Sequence, residues 1–207
     1  MVDVLVIVEG GGSTRSEQAP LRKGFSELFA KLLGSKRKPQ VMCAGGRSEA
    51  FQNFKTFVKA NPNTLCFLLV DSEGPVAPES SPWEHVASRL GDGWQQPAGV
   101  TDEHLHFMME AMEAWLVADP DALAGHYGSG FKKEKLPKRA NLEEVSKAAL
   151  AKALDAATKD VKTKGKYQKS HGFVLIGKLD PAKIRRACPK FAKRFFEALE
   201  ERASYGG

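Results

Sequence analysis

Two runs of uninterrupted aliphatic residues constrain this chain more than anything else in it. Val2 to Val8 is a nearly unbroken β-branched and aliphatic stretch that closes on Glu9 and Gly10, and Leu65 to Val70 is a second, closing on Asp71, Ser72, Glu73 and Gly74. A strand facing solvent on one side alternates apolar with polar residues, whereas a strand covered on both faces does not need to. Both runs therefore predict central strands of a parallel sheet, each delivering an acidic residue at its carboxyl end.

The intervening sequence supplies crossovers. Leu21, Phe25, Leu28, Phe29, Leu32 and Leu33 fall at three- and four-residue steps before Gly34, which predicts a helix and its stop. Gln40 to Ala44 reads as a second strand. It ends at Gly45 and Gly46, and Ser48 is the expected cap of a helix carrying Phe51, Phe54, Phe57 and Val58. Alternation of this kind predicts right-handed βαβ units and a mostly parallel sheet with helices on both faces.

The segment from Gly74 to Gly99 is rich in proline and glycine and reads as a long functional loop around a short helix at Trp83 to Leu90. His104 to Met109 is expected as a fourth strand running into a helix from Ala111 to Ala118, with one helix over Asp102 to Ala118 as the competing reading. Beyond Pro120 the pattern turns to short helices, of which Leu142 to Thr158 is the clearest, followed by Pro181 to Cys188 and Lys190 to Arg202. The expected organisation is one domain over 1–207, with an α/β core at 1–119 and a mainly helical part at 120–207.

Composition excludes several classes. Apolar residues make up 42% and charged residues 27%, the balance of an ordinary folded protein. Cys43, Cys66 and Cys188 are too scattered for a zinc site or a disulfide framework, so reduced thiols and a cytoplasmic location are expected. The first apolar run contains Asp3 and is too short for a membrane span or signal segment. No Gly-x-x-x-x-Gly-Lys-Ser/Thr loop precedes Leu-Leu-Val-Asp-Ser-Glu, which argues against a nucleoside triphosphatase. Thirty-one Lys and Arg against 25 Asp and Glu give +6, and twelve basic residues against five acidic ones crowd Lys132 to Lys169. That excess suits a polyanionic partner such as DNA or RNA, and a solvated helical face equally.

In an open parallel sheet, ligands collect outside the carboxyl ends of the strands. Glu9 and Asp71 are expected there, and Glu73 joins them if the chain bends at once. Carboxylates gathered without lysine partners raise one another's pKa, a cost that a divalent cation removes, and Mg²⁺ or Mn²⁺ with oxygen ligands is the natural choice. Glu9, Asp71 and Glu73 are thus the candidate metal ligands, with solvated strand-end acids as the plain alternative. Glu113 is a further candidate at this site, with Glu110 behind it. Arg47 can clamp a phosphate with help from free amides near Gly45 and Gly46, and Gly10 and Gly11 can bring backbone amides to one. Lys169 and His171, near Tyr167, are candidate phosphate ligands or leaving-group acids. Trp94 is the tryptophan expected to stack a base, and Trp115 is expected in the core.

Val-Glu-Gly after the first strand and Leu-Val-Asp-Ser-Glu-Gly after the third resemble the Toprim pattern of a glutamate and an Asp-x-Asp, with Glu73 replacing the second aspartate. The wider string is Ala44-Gly-Gly-Arg47, Asp71-Ser-Glu-Gly-Pro-Val76, Pro82-Trp-Glu-His85, Met112-Glu-Ala-Trp-Leu-Val-Ala-Asp119 and Tyr167-Gln-Lys-Ser-His171. It is similar to the Toprim-like family labelled domain of unknown function 4276, over nearly the whole chain. The resemblance implies a Toprim-like three-layer fold and a Mg²⁺-dependent nuclease or related enzyme acting on DNA or RNA, in bacterial anti-phage or mobile-element defence beside an ATPase partner. Two other readings are nucleotidyl transfer, and a non-catalytic module that binds a partner ATPase or a nucleotide effector.

Overall fold

The computed structural model describes residues 4–204. The strands are β1 (Val4–Val8), β2 (Gln40–Cys43), β3 (Leu65–Asp71) and β4 (Leu105–Met108), all parallel and ordered β2-β1-β3-β4. The expected first strand began at Val2, and Val2 and Asp3 lie outside the described residues. Helices α1 (Arg15–Leu33), α2 (Arg47–Ala60) and α3 (Pro82–Ser88) connect the strands, and α4 (Glu113–Val117), α5 (Pro120–Tyr127), α6 (Lys147–Thr158), α7 (Lys169–Leu175), α8 (Pro181–Ala187) and α9 (Phe191–Ser204) follow. Among the described residues no helix is long and apolar enough to cross a membrane.

The pleat of the two central strands decides the layering. Val6, Val8, Phe67 and Leu69 point to the face covered by α1 and the helices after β4, including Trp115, Phe195 and Phe196. Leu5, Ile7, Cys66, Leu68 and Val70 point to the opposite face, packed with Phe51 and Phe54 of α2 and Trp83 and Val86 of α3. Continuous apolar runs are what strands covered on both faces require, and the α/β architecture with helices on both sides follows from them. The helices beyond Pro120 share one uninterrupted core with α1.

Local boundaries differ most from the sequence expectation in three places. Helix α2 starts at Arg47 with Gly46 as its N-cap and no side-chain cap, so Ser48 lies inside the first turn. The Leu142 to Thr158 segment is divided: Leu142–Glu144 is a 3-10 turn, and α6 starts only after Ser146, whose hydroxyl accepts from the Ala149 amide. A serine three residues ahead of a free amide outcompetes continuation of the earlier turn. The stretch before β4 is a 3-10 turn over Asp102–His104, so the strand is shorter than His104 to Met109, and α4 is correspondingly short.

Helix α1 and the chain at the end of α7 touch backbone to backbone. A Cβ on the buried Gly24 would stand 2.5 Å from the Phe173 carbonyl oxygen and overlap the Ile176 side chain, and one on Gly177 would stand 3.1 Å from the Gly24 Cα. No larger residue fits without separating the two segments. The Gly24→Ala variant is expected to lose about 1–3 kcal/mol of stability in denaturant unfolding, and an unchanged midpoint would contradict this close approach.

Candidate active site at the switch between β1 and β3

The strand order places β2 on one side of β1 and β3 on the other, so the connections leaving β1 and β3 run in opposite directions. That divergence opens a crevice at their carboxyl ends. Glu9 follows β1 and continues its ladder, with its amide donating to the Leu69 carbonyl. Asp71 is the last residue of β3. The pleat sends the two carboxylates to opposite sides of the sheet edge: Glu9 has the parity of Leu5 and Ile7 and turns toward α2, while Asp71 has the parity of Phe67 and Leu69 and turns toward α4 and α6.

On the α2 side, Arg47 is the organising residue. Its Nη1 donates to Glu9 Oε2 at 3.0 Å and to the Asp71 carbonyl oxygen at 2.5 Å, while Nε and Nη2 grip both oxygens of Asp92 at 2.8 and 2.7 Å. Asp92 also pairs with Arg89, and the Arg47 guanidinium lies 4.7 Å over the Trp94 ring. The guanidinium is therefore a brace between both strand ends and the proline-rich loop, with its donors already engaged instead of open for a phosphate. Trp94 is buried and stacked on Phe51 at 4.4 Å, so it is packing and not the base-stacking platform expected of it. The Gly45 amide is likewise not free as expected, since Gly10 and Gly45 exchange both backbone hydrogen bonds. Gly10 and Gly11 have φ of 115° and 95°, the left-handed region that favours glycine, so this turn is their structural requirement.

On the α6 side, Asp71 is only 5% exposed, and its Oδ1 accepts from the Met112 amide at 2.8 Å. The chain does bend at once after it. Ser72 and Glu73 donate their amides to the Met108 and Glu110 carbonyls, and Glu73 takes φ of 62°, a conformation that costs a non-glycine residue about 1 kcal/mol. The bend brings the Glu73 carboxylate to Lys147, whose Nζ donates to Glu73 Oε1 at 2.6 Å and stands 3.5 Å from Asp71 Oδ2. Glu110 secures the lysine from below by accepting its backbone amide at 2.9 Å. Glu113, 9% exposed, accepts from the Tyr167 hydroxyl through Oε1 at 2.9 Å, and its Oε2 is buried with no hydrogen-bond partner.

The four acids sense one another. Burial pushes the Asp71 carboxyl up to about 7, with the charges of Glu9 and Glu113 adding to it and Lys147 opposing. Burial also raises Glu9, against the pull of Arg47, and Glu73 adds to the rise. Burial works against the Lys147 ammonium, but its hydrogen bond to Glu73 and the charges of Asp71, Glu73 and Glu113 outweigh that and hold it protonated. Tyr167 is raised by burial and then by Glu113, so it remains a hydrogen-bond donor.

Glu9, Arg47, Asp71, Glu73 and Glu113 are thus brought to one crevice, and neither Lys169 nor His171 bonds to any of them. Lys169 is exposed in the first turn of α7, and His171 Nδ1 pairs with the Tyr127 hydroxyl at 3.0 Å. The carboxylates are not free of lysine partners as expected: Lys147, which lies in no motif and 74 residues beyond Glu73, reaches them through the fold. Among the described residues no three histidine, cysteine or acidic side chains are gathered closely enough to ligate one ion. The donor set nevertheless fits a hard cation, being entirely oxygen, with one unpartnered buried carboxylate oxygen and one carboxyl reluctant to ionise. The three cysteines are unpaired and buried, and burial pushes the Cys43 and Cys66 thiols up to about 12.

Two outcomes follow from this geometry. Because Asp71 has a raised pKa in the folded protein, its ionisation subtracts nothing below the unfolded value near 4, and costs progressively more stability as pH rises to about 7. Asp71→Asn should therefore gain on the wild type in melting temperature between pH 4 and pH 8 without added metal, and a constant difference would contradict the burial of this charge. Arg47→Met strands Glu9 and Asp92, and is expected to cost roughly 3–5 kcal/mol in denaturant unfolding. A loss below 1 kcal/mol would contradict the brace.

The family model for Domain of unknown function (DUF4276) matches residues 8–200. No curated protein and no solved structure matches the chain. The match begins at the last residue of β1 and takes in β2 to β4, the acidic crevice and the helices as far as most of α9, and the chain belongs to the DUF4276 family.

Proposed function

We propose that this protein is a Mg²⁺- or Mn²⁺-dependent phosphodiester-processing enzyme, a Toprim-like nuclease acting on DNA or RNA. The observation that carries the reading is the unpartnered, buried Oε2 of Glu113 beside Asp71, at the one place in a parallel sheet where ligands collect. Leaving a carboxylate oxygen buried and unmatched costs free energy, so such a group points to a partner of opposite charge.

Asp71 and Glu113 are the residues that would hold the ion, with Glu73 and Glu9 at its edge. When bound, a divalent cation neutralises charge on the phosphodiester oxygens and activates water. The chain's own residues do the rest. Tyr167 keeps its proton and orients Glu113, the Met112 amide fixes Asp71, and Arg47 ties the ends of β1 and β3 so that the acids stay in register. Lys159, Lys162, Lys164 and Lys169 are exposed on the segment from the end of α6 to the start of α7, flanking Tyr167, where they suit a phosphate backbone.

A second reading has an observation in its favour. Internal cations already pair with Glu9, Asp71 and Glu73, an arrangement that a non-catalytic module for a partner ATPase or a nucleotide effector would also keep. Turnover separates the two. Purified protein with Mn²⁺ or Mg²⁺ is expected to cleave single- or double-stranded DNA or RNA, and Asp71→Asn with Glu73→Gln to slow cleavage roughly a hundredfold to a thousandfold with the fold intact. Cleavage by the double variant at the wild-type rate would remove the proposal, and saturable nucleotide or partner binding without turnover would favour the module.

A further inference from the structure

The position of Lys147 carries a consequence for how a cation reaches the crevice. Its ammonium hydrogen-bonds Glu73 and stands 3.5 Å from Asp71, and its charge is also felt by Glu113. One side chain thus offsets three carboxylates that would otherwise repel one another at the sheet edge. We infer that Lys147 is a resident counter-cation that a divalent ion displaces, so that it sets how tightly the site binds metal and holds the acids in place until metal arrives. The inference rests on the metal-ion reading above and adds the regulation of that site.

Three features make displacement possible without unfolding. The Lys147 side chain is 38% exposed, so a path to solvent exists for the ammonium. Its backbone is held independently, with the amide donating to Glu110 Oε2 and the helix capped by Ser146, so the four-carbon stem can swing while α6 stays seated. Opposite it, the unpartnered Oε2 of Glu113 is nine-tenths buried with its residue and is left unsatisfied by the lysine, which gives a doubly charged ion something the ammonium does not use. An ammonium and a divalent cation a few ångströms apart repel each other, so a bound ion favours departure of the ammonium.

The test compares wild type, Lys147→Met and Lys147→Arg by calorimetric titration with Mn²⁺ and Mg²⁺, together with amine labelling of Lys147 in the wild type read by mass spectrometry. Lys147→Met is expected to bind Mn²⁺ about tenfold more tightly or better, Lys147→Arg within about threefold of wild type, and Lys147 labelling to rise several-fold when Mn²⁺ saturates the protein. Equal Mn²⁺ affinity in wild type and Lys147→Met, or labelling indifferent to Mn²⁺, would overturn the displacement and leave the metal reading standing. Absence of Mn²⁺ and Mg²⁺ binding in all three proteins would overturn both. If Lys147→Met does not fold, labelling of the wild type decides alone.

Discussion

Parallel pairing of Val4–Val8 with Leu65–Leu69 is the contact on which the rest of the molecule depends. It sets the two most apolar strands side by side, buries both of their faces and fixes the register in which their ends emerge. Because β2 and β4 are added on opposite sides, the chain departs from β1 and β3 in opposite directions, and the gap between those departures is the crevice. An acid at the end of each strand becomes a neighbour of the other by topology alone. The charges that result are then managed by residues far away in the chain.

That management has two halves, one for each face of the sheet. Toward α2, Arg47 joins Glu9, the Asp71 carbonyl and Asp92, and Trp94 lies under the guanidinium as a flat apolar support. Toward α6, Lys147 spans Asp71 and Glu73, and Tyr167 holds Glu113. The arginine is engaged on all sides and rigid, as a planar fork with several simultaneous partners must be. The lysine is a point charge on a flexible stem, half open to water. One is suited to hold the frame and the other to move.

Much of this was legible in the residues. The two aliphatic runs with their terminal acids identify the central strands, and periodicity places α1 down to its Gly34 stop. Asp71 and Glu9 could be placed at one sheet edge because a strand buried on both faces must end where its apolar run ends. Their separation onto opposite faces is a matter of strand parity across a register that only the pairing reveals. Lys147, by contrast, reaches Glu73 across 74 residues, through a helix whose start depends on Ser146 outcompeting the preceding turn. Trp94 read as an exposed loop aromatic because nothing local shows that Asp92 and Arg47 pull its loop inward. His171 is engaged instead by the Tyr127 hydroxyl of α5, a contact that nothing local in its own sequence shows.

The proposal is that acids from β3 and α4 share one divalent ion in a crevice that Lys147 otherwise fills with its charge. Anomalous diffraction from a crystal of the protein grown with Mn²⁺ tests it most directly. The account predicts a manganese peak bonded to the Asp71 carboxylate with Glu113 Oε2 facing it, and the Lys147 ammonium moved away from Asp71. Manganese bound elsewhere, or Lys147 still lying between Asp71 and Glu73 beneath saturating metal, would contradict it.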